Sequence, residues 1–284
     1  MSSPPAVARG LWRSSHPGPT CVVTALALAL GVAAGLEPWR LALLTVAVLL
    51  GQLSVGISND ALDVERDRAV GRSDKPIARG DVSVRVAWIA AAVCLALALA
   101  LSAPLGIGML AAHAVTLASA WTYNAGLKAT VFSIVPFLLS FGLFPSLATL
   151  AAADARVAAA WAWVAGATLG AAVHLTNVLP DLEDDRRTGI RGLPHRLGGR
   201  SAAVVAAVGV AAGAVAVLLG PPQLRIAAVS PLSWAFFAAV VVVAAVSAVL
   251  ALRGAPGRMV FRLVMLSALL LAAQLVATGG ALAA

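Results

Sequence analysis

Charge is scarce in this chain of 284 residues. Only 11% of them are Asp, Glu, Lys or Arg, where a soluble domain carries about a quarter. That shortage excludes a soluble globular enzyme and a disordered protein. Cysteine is nearly absent too. Cys21 and Cys94 both lie in apolar stretches with no metal-type spacing around them, which excludes a disulfide scaffold. The chain instead has 61% hydrophobic residues and a mean hydropathy of +0.95, the composition of a polytopic α-helical membrane protein. A net charge of +8 would suggest nucleic acid in a soluble protein. Here the excess of Lys and Arg on the cytoplasmic side of a membrane accounts for it, and no nucleic-acid partner is expected. No short apolar core with a cleavage site follows Arg9 and Arg13, so no removable signal peptide is expected.

The few charges punctuate the chain. A transmembrane helix needs about 20 apolar residues. The charge-free runs then give nine helices, near 20–36, 40–62, 84–101, 105–122, 130–150, 157–181, 201–220, 230–252 and 260–280. The break inside the longest run falls at Ser102-Ala103-Pro104, because proline follows a helix end easily. With a cytoplasmic N-terminal segment (1–19), alternation places 17 of the 20 Lys and Arg inside and leaves Arg40, Arg156 and Arg225 outside. Trp39, Trp88, Trp121, Trp161 and Trp234 fall near span ends as interfacial anchors. The whole of 1–284 is expected to form one multi-pass domain, with its active site on the cytoplasmic face.

Ten of the 12 acids gather in two inner segments. The first reads Asn59-Asp60-x2-Asp63-x-Glu65-Arg66-Asp67-Arg68, the second Asn177-x2-Pro180-Asp181-x-Glu183-Asp184-Asp185-Arg186. Both contain Asn-x3-Asp-x3-Asp-Arg, 118 residues apart. Residues at i, i+4 and i+8 share one helical face, so each motif predicts a ladder of one amide and two carboxylates about 12 Å long. Like charges set so close repel unless a cation sits among them. Oxygen-only ligands suit Mg²⁺, which takes its remaining positions from water and substrate phosphates. Basic residues adjoin both ladders: Arg68, Arg72, Lys75 and Arg79 after the first; Arg186, Arg187, Arg191 and Arg196 after the second. Guanidinium groups bind phosphate oxygens bidentately. Acid ladders and basic tails above an apolar bundle describe a seat for a metal-bound diphosphate with a lipid tail.

These motifs resemble the UbiA superfamily of intramembrane prenyltransferases. The matching residues are Asn59-Asp60-x2-Asp63-x3-Asp67-Arg68 with Lys75-Pro76-Ile77-Ala78-Arg79-Gly80, then Asp181-x3-Asp185-Arg186 with Gly189-x3-Leu193-Pro194-x-Arg196-Leu197-Gly198. A further match is Tyr123-Asn124-Ala125-Gly126-Leu127-Lys128, which holds the single tyrosine. The resemblance implies an all-α enzyme that uses Mg²⁺ to ionise an isoprenyl diphosphate and transfers the chain to an acceptor, commonly an aromatic one. Carried over, it implies metal ligation by Asn59, Asp63, Asp67, Asp181 and Asp185. Asn177 completes the second ladder by spacing. The diphosphate would meet Arg68, Arg72, Lys75, Arg79, Lys128 and Arg186, with Arg13 shared between that role and anchoring. Tyr123 and Lys128 join the acids in the catalytic set, and Asp60 is a spare carboxylate to orient a ligand or accept a proton. Gly192 stands where many relatives have Thr, and Asp74 sits beside the phosphate binders.

Other features carry less. His174, three residues before Asn177, either lines the cavity or is a structural histidine; His113 reads as a packed neutral imidazole; His195 is assigned no role. Glu183 and Asp184 point away from the 177–181–185 stripe into solvent. Three rival readings exist. A terpene cyclase of the same superfamily would capture the cation with the substrate's own double bond. A secondary transporter would place charges near the midplane in inverted repeats, unlike these one-sided clusters. A CDP-alcohol phosphotransferase would carry an Asp-Gly-x2-Ala-Arg element that this chain lacks.

Overall fold

The computed structural model describes residues 4–221, 225–254, 257–278 and 282–283, and among them the chain is helical with no strand beyond one isolated bridge. Five short helices lie outside the bundle of long ones: α1 (Pro4–Ser14), α4 (Val64–Ala69), α5 (Pro76–Arg79), α10 (Leu182–Arg187) and α11 (Leu193–Leu197). The long helices are α2 (Pro17–Ala33), α3 (Pro38–Leu62), α6 (Val84–Ser102), α7 (Ile107–Ala125), α8 (Val135–Leu150), α9 (Ala160–Asn177), α12 (Gly199–Leu219), α13 (Pro231–Arg253) and α14 (Arg258–Thr278).

Among the described residues, seven helices are long and apolar enough to cross a membrane: α3, α6, α8, α9, α12, α13 and α14. The pair α1 and α2, bent by 71°, makes an eighth when taken as one broken span. The expected nine therefore meet that criterion in only seven or eight cases. The helix α7 falls outside it because it carries His113, Trp121, Thr122, Tyr123 and Asn124. The expected break after Ser102 is present as a turn of 3₁₀ helix at Ala103–Leu105.

Six helices enclose a central cavity: α2, α3, α7, α8, α9 and α14. The helix α6 packs behind α3, α12 packs behind α9, and α13 spans between α12 and α14. Small residues set these distances. A side chain at Gly170 would run into the backbone oxygen of Phe137, so glycine there lets α9 lie directly on α8. The core beneath is Ala-, Leu- and Val-rich and continuous through most of the bundle.

Both acid motifs fall where a long helix stops. The ladders are thus interrupted, against the expectation of one continuous helix each. The helix α3 ends at Leu62 and Asp63 occupies the junction with α4. The helix α9 ends at Asn177, Pro180 sits in a 3₁₀ turn over Leu179–Asp181, and α10 follows. Proline has no N–H to continue the ladder of backbone bonds.

Candidate active site

The cavity holds about 310 Å³. Its lower wall is apolar: Val23, Val48, Leu117, Phe137, Phe141, Phe144 and Leu147. Phe137 and Phe141 stack one helical turn apart, with centroids 6.2 Å apart and planes within 6°. Tyr123 stands edge-on to Phe137 at 5.1 Å and to His174 at 5.7 Å. The mouth is polar, and there Asn59, Asp63, Asp67, Asn177, Asp181 and Asp185 all line the same space. Motifs 118 residues apart are joined because both end long helices on the same side of the bundle.

Cations from the first motif and the α7–α8 turn stitch the mouth together. Lys128 donates to both carboxylate oxygens of Asp63, at 2.5 and 2.7 Å, and reaches Asn59 Oδ1 at 3.4 Å. Arg66 donates to Asp63 at 2.8 Å and to Asp185 at 3.3 Å, and so bridges the motifs. Arg72 makes the second bridge, to Asp181 at 3.0 Å, while also gripping Asp74 at 2.9 and 3.0 Å. The hydrogen bonds to Asp74 raise the pKa of Arg72 and hold the Asp74 carboxyl well below the usual range. Burial lowers the pKa of Lys128, opposed by Asp63. Burial likewise raises the pKa of Asp67, opposed by Lys75 and Arg66.

Asp60 does not face the cavity. It is 1% exposed, and its Oδ1 accepts from Lys75 at 2.6 Å and meets His16 Nε2 at 2.9 Å. His16 and Lys75 themselves line the mouth. His16 adopts φ 55°, an unusual conformation for a residue with a side chain, at the elbow between α1 and α2. The elbow rests on α3, where a side chain at Gly56 would come within 2.5 Å of the Ser15 oxygen.

Three expected phosphate contacts lie elsewhere. Arg68 bonds Glu65 and the Ala78 oxygen, Arg79 pairs with Asp81 and reaches the Ser73 oxygen, and Arg13 is exposed; none lines the cavity. Arg68 and Arg79 point outward because their helices are short and the inner faces are taken by Asp67 and Ile77. Arg186 touches the His195 oxygen at 3.3 Å and opens on a neighbouring hollow instead. Glu183 pairs with Arg187 at the surface. His174 does line the cavity, and its Nε2 meets Ser133 Oγ at 3.1 Å. His113 lines the cavity as well, with its Nδ1 2.8 Å from Ser102 Oγ.

Arg66 and His16 were not singled out from the sequence. Arg66 had a signal in its position three residues after Asp63, on the ladder's own face. The pairing of His16 with Asp60 had none, since 44 residues separate them.

The donor set suits a hard divalent cation in kind, with two amides and four carboxylates round one mouth. Among the described residues no three acid, His or Cys side chains converge closely enough to hold a metal. Lys128, Arg66 and Arg72 stand between them as counterions, so a divalent ion and diphosphate would take over positions that these cations hold.

An all-helical membrane bundle with a charged mouth over an aromatic-walled pocket defines an intramembrane enzyme handling an anionic head and an apolar tail. The chain belongs to the UbiA prenyltransferase family, whose model matches residues 20–269, and it is a prenyltransferase. It is 30% identical over 204 residues to a digeranylgeranylglyceryl phosphate synthase of Natronomonas pharaonis, covering 70% of this chain and 73% of that one. The apo structure of a UbiA homolog from Aeropyrum pernix K1 matches with a TM-score of 0.74 at 19% identity, over 90% of this chain and 97% of the other. A UbiA homolog from Archaeoglobus fulgidus, bound to GPP and Mg²⁺, matches with a TM-score of 0.71 at 17% identity, over 94% and 98%.

Proposed function

We propose that this chain transfers an isoprenyl group from its allylic diphosphate to an acceptor within the membrane, with Mg²⁺ as cofactor. The observation that carries this is the convergence of Asn59, Asp63, Asp67, Asn177, Asp181 and Asp185 on one cavity with an apolar floor. The solved relative bound to GPP and Mg²⁺ is consistent with it. Bound Mg²⁺ would supply positive charge to the departing diphosphate. The six oxygen-bearing side chains would hold it. Arg66, Arg72, Lys75 and Lys128 would bind diphosphate oxygens as charge develops there. The tail would lie along Phe137, Phe141 and Phe144, whose ring faces also favour an allylic cation. Tyr123 and His174 would close the aromatic wall between head and tail and keep water from the cation.

Two further parts belong to this reading. The helices α2 and α7 complete a set of nine spans in a single domain over 1–284, with the mouth and N-terminus cytoplasmic, where most Lys and Arg then lie. A cyclase outcome remains the second reading, because an aromatic-walled pocket also suits folding a cation on itself. The aromatic acceptor expected from the resemblance belongs to this reading as well.

The test uses purified protein, Mg²⁺ and geranylgeranyl diphosphate, with and without acceptors, read by mass spectrometry. Transfer predicts acceptor-dependent prenyl adducts, lost in Asp63→Ala and Asp181→Ala by roughly 10³-fold. A cyclic hydrocarbon or alcohol formed without acceptor moves the chain to the cyclase reading. Near-normal turnover in either variant rules out the metal site.

A further inference from the structure

The elbow between α1 and α2 combines strain with an unmet hydrogen bond. His16 holds φ 55° there, a conformation that glycine adopts readily and other residues seldom do. Its ring lines the cavity mouth, and its Nε2 lies 2.9 Å from Asp60 Oδ1. Asp60 is 1% exposed and accepts from Lys75 on the same oxygen at 2.6 Å, while its Oδ2 is sealed without a partner. A latch that served only to fix the elbow would use both oxygens, since a buried acceptor left empty is costly. Strained backbone clusters where it serves chemistry.

A carboxylate only accepts, so His16 Nε2 carries the hydrogen between the two groups. In the neutral ring this leaves the lone pair on Nδ1, which has no hydrogen-bond partner among the described residues. One ring nitrogen held by a buried acid, with the other free at a cavity, is the arrangement of a positioned base. Lys75 Nζ stands 3.4 Å from Nε2, so this base lies beside a cation assigned above to the diphosphate.

We propose that His16 takes up the proton released as the product forms, and that Asp60 is the positioning residue that holds its ring in that tautomer. The proposal rests on the reading above, in which the donor's diphosphate leaves at the mouth. The donor's C1–O bond breaks with its electron pair on the diphosphate. In transfer, an acceptor atom bonds to C1 and its proton passes to Nδ1. In the cyclase reading, a carbon next to the last cation gives up the proton, and the C–H electron pair becomes a double bond. The imidazolium then returns the proton to water, because the His16 side chain is 40% exposed.

The experiment uses the purified full chain in detergent with Mg²⁺ and geranylgeranyl diphosphate. The acceptor probes are 4-hydroxybenzoate and geranylgeranylglyceryl phosphate, each compared with no acceptor. Release of inorganic diphosphate reports ionisation of the donor. Mass spectrometry separates adducts and cyclic alkenes, which lose a proton to the protein, from geranylgeraniol, formed by capture of water. His16→Gln can still donate to Asp60 but supplies no base. It is expected to lose adduct or alkene by about 100-fold or more, while diphosphate release persists and geranylgeraniol accumulates. In His16→Gly, which suits the positive φ, added imidazole is expected to restore product. Asp60→Asn is expected to lower kcat with the donor KM unchanged within about 3-fold. A matching rise in KM would assign Asp60 to Lys75 alone and remove it from the proposal. Undiminished product in His16→Gln would give the proton to the departing diphosphate and overturn the proposal. Equal loss of product and of diphosphate release would overturn it as well, making His16 a donor-binding or structural group. Parent protein that releases no diphosphate, or forms geranylgeraniol alone, marks a failure of the functional reading above instead.

Discussion

The two acid motifs share a spacing, yet their basic residues are spent differently. In the first loop each of Arg66, Arg68, Arg72, Lys75 and Arg79 holds a carboxylate. In the second only Arg187 does, through Glu183, while Arg186, Arg191 and Arg196 have no acidic partner among the described residues. The first loop is therefore held by its own ion pairs, while the acids of the second are paired largely by Arg66 and Arg72 of the first. Sequence symmetry does not imply equal surroundings: the first loop's cations are paired and, among the described residues, three of the second's are not.

The comparison breaks most sharply at Asp63 and Asp181. Both variants to Ala should lose turnover, but only Asp63→Ala should also lose stability, by about 3 kcal/mol, because it strands Lys128 and leaves Arg66 with Asp185 alone as a hydrogen-bond partner. Asp181 has one partner and a side chain 40% exposed, so its variant should melt close to the parent. Thermal unfolding of the two in detergent decides this. Equal losses would mean that the first loop is no more locked than the second.

A second test swaps charges inside the locked loop. Lys75→Met leaves Asp60 buried with His16 alone and should cost about 3 kcal/mol. Adding Asp60→Asn should restore much of the melting temperature without restoring turnover. A double variant no more stable than the single would show that the pair is not a structural clamp.

Chelation separates the loops differently. With Lys128, Arg66 and Arg72 already neutralising the acids, the metal-free protein should melt within about 2 °C of the protein with Mg²⁺ when no diphosphate is present. Donor binding should nevertheless vanish in EDTA. A large drop in melting temperature on chelation alone would mean that the cations do not stand in for the metal.

The smallest effect is expected at Asp74, held by Arg72 but 49% exposed. The pair lowers the pKa of Asp74, so its contribution is present above the ordinary carboxylate range and fades as pH falls through the folded value. Asp74→Asn should cost under about 0.5 kcal/mol at pH 7, and that difference should shrink on acidification. Freed from one carboxylate, Arg72 should bind donor diphosphate about 2-fold tighter. A larger stability loss would place Asp74 within the clamp.

Much of this was legible in the sequence, for physical reasons that also mark the limit. Helical positions followed from charge-free runs, and the meeting of the two motifs at one cavity from their repeated acid patterns. The ladders were over-read. Periodicity says which residues share a face while a helix lasts, but Asp63 and Pro180 sit where the helices stop. Arg68 and Arg79 carry the right charge in the right segment, yet short helices turned them to solvent. The bridge from Arg66 to Asp185 spans 119 residues and depends on how the bundle sets the ends of α3 and α9 across the cavity from each other, which no local pattern encodes.

The polarity of α7 makes it depend on a neighbour. Its Asn124 donates to the Val55 oxygen and Ser58 Oγ, and its Trp121 to Ser54 Oγ, all on α3. Those groups are satisfied only once α3 is alongside. The polar end of α7 is thus held by α3, and α3 serves as the template on which that end is seated.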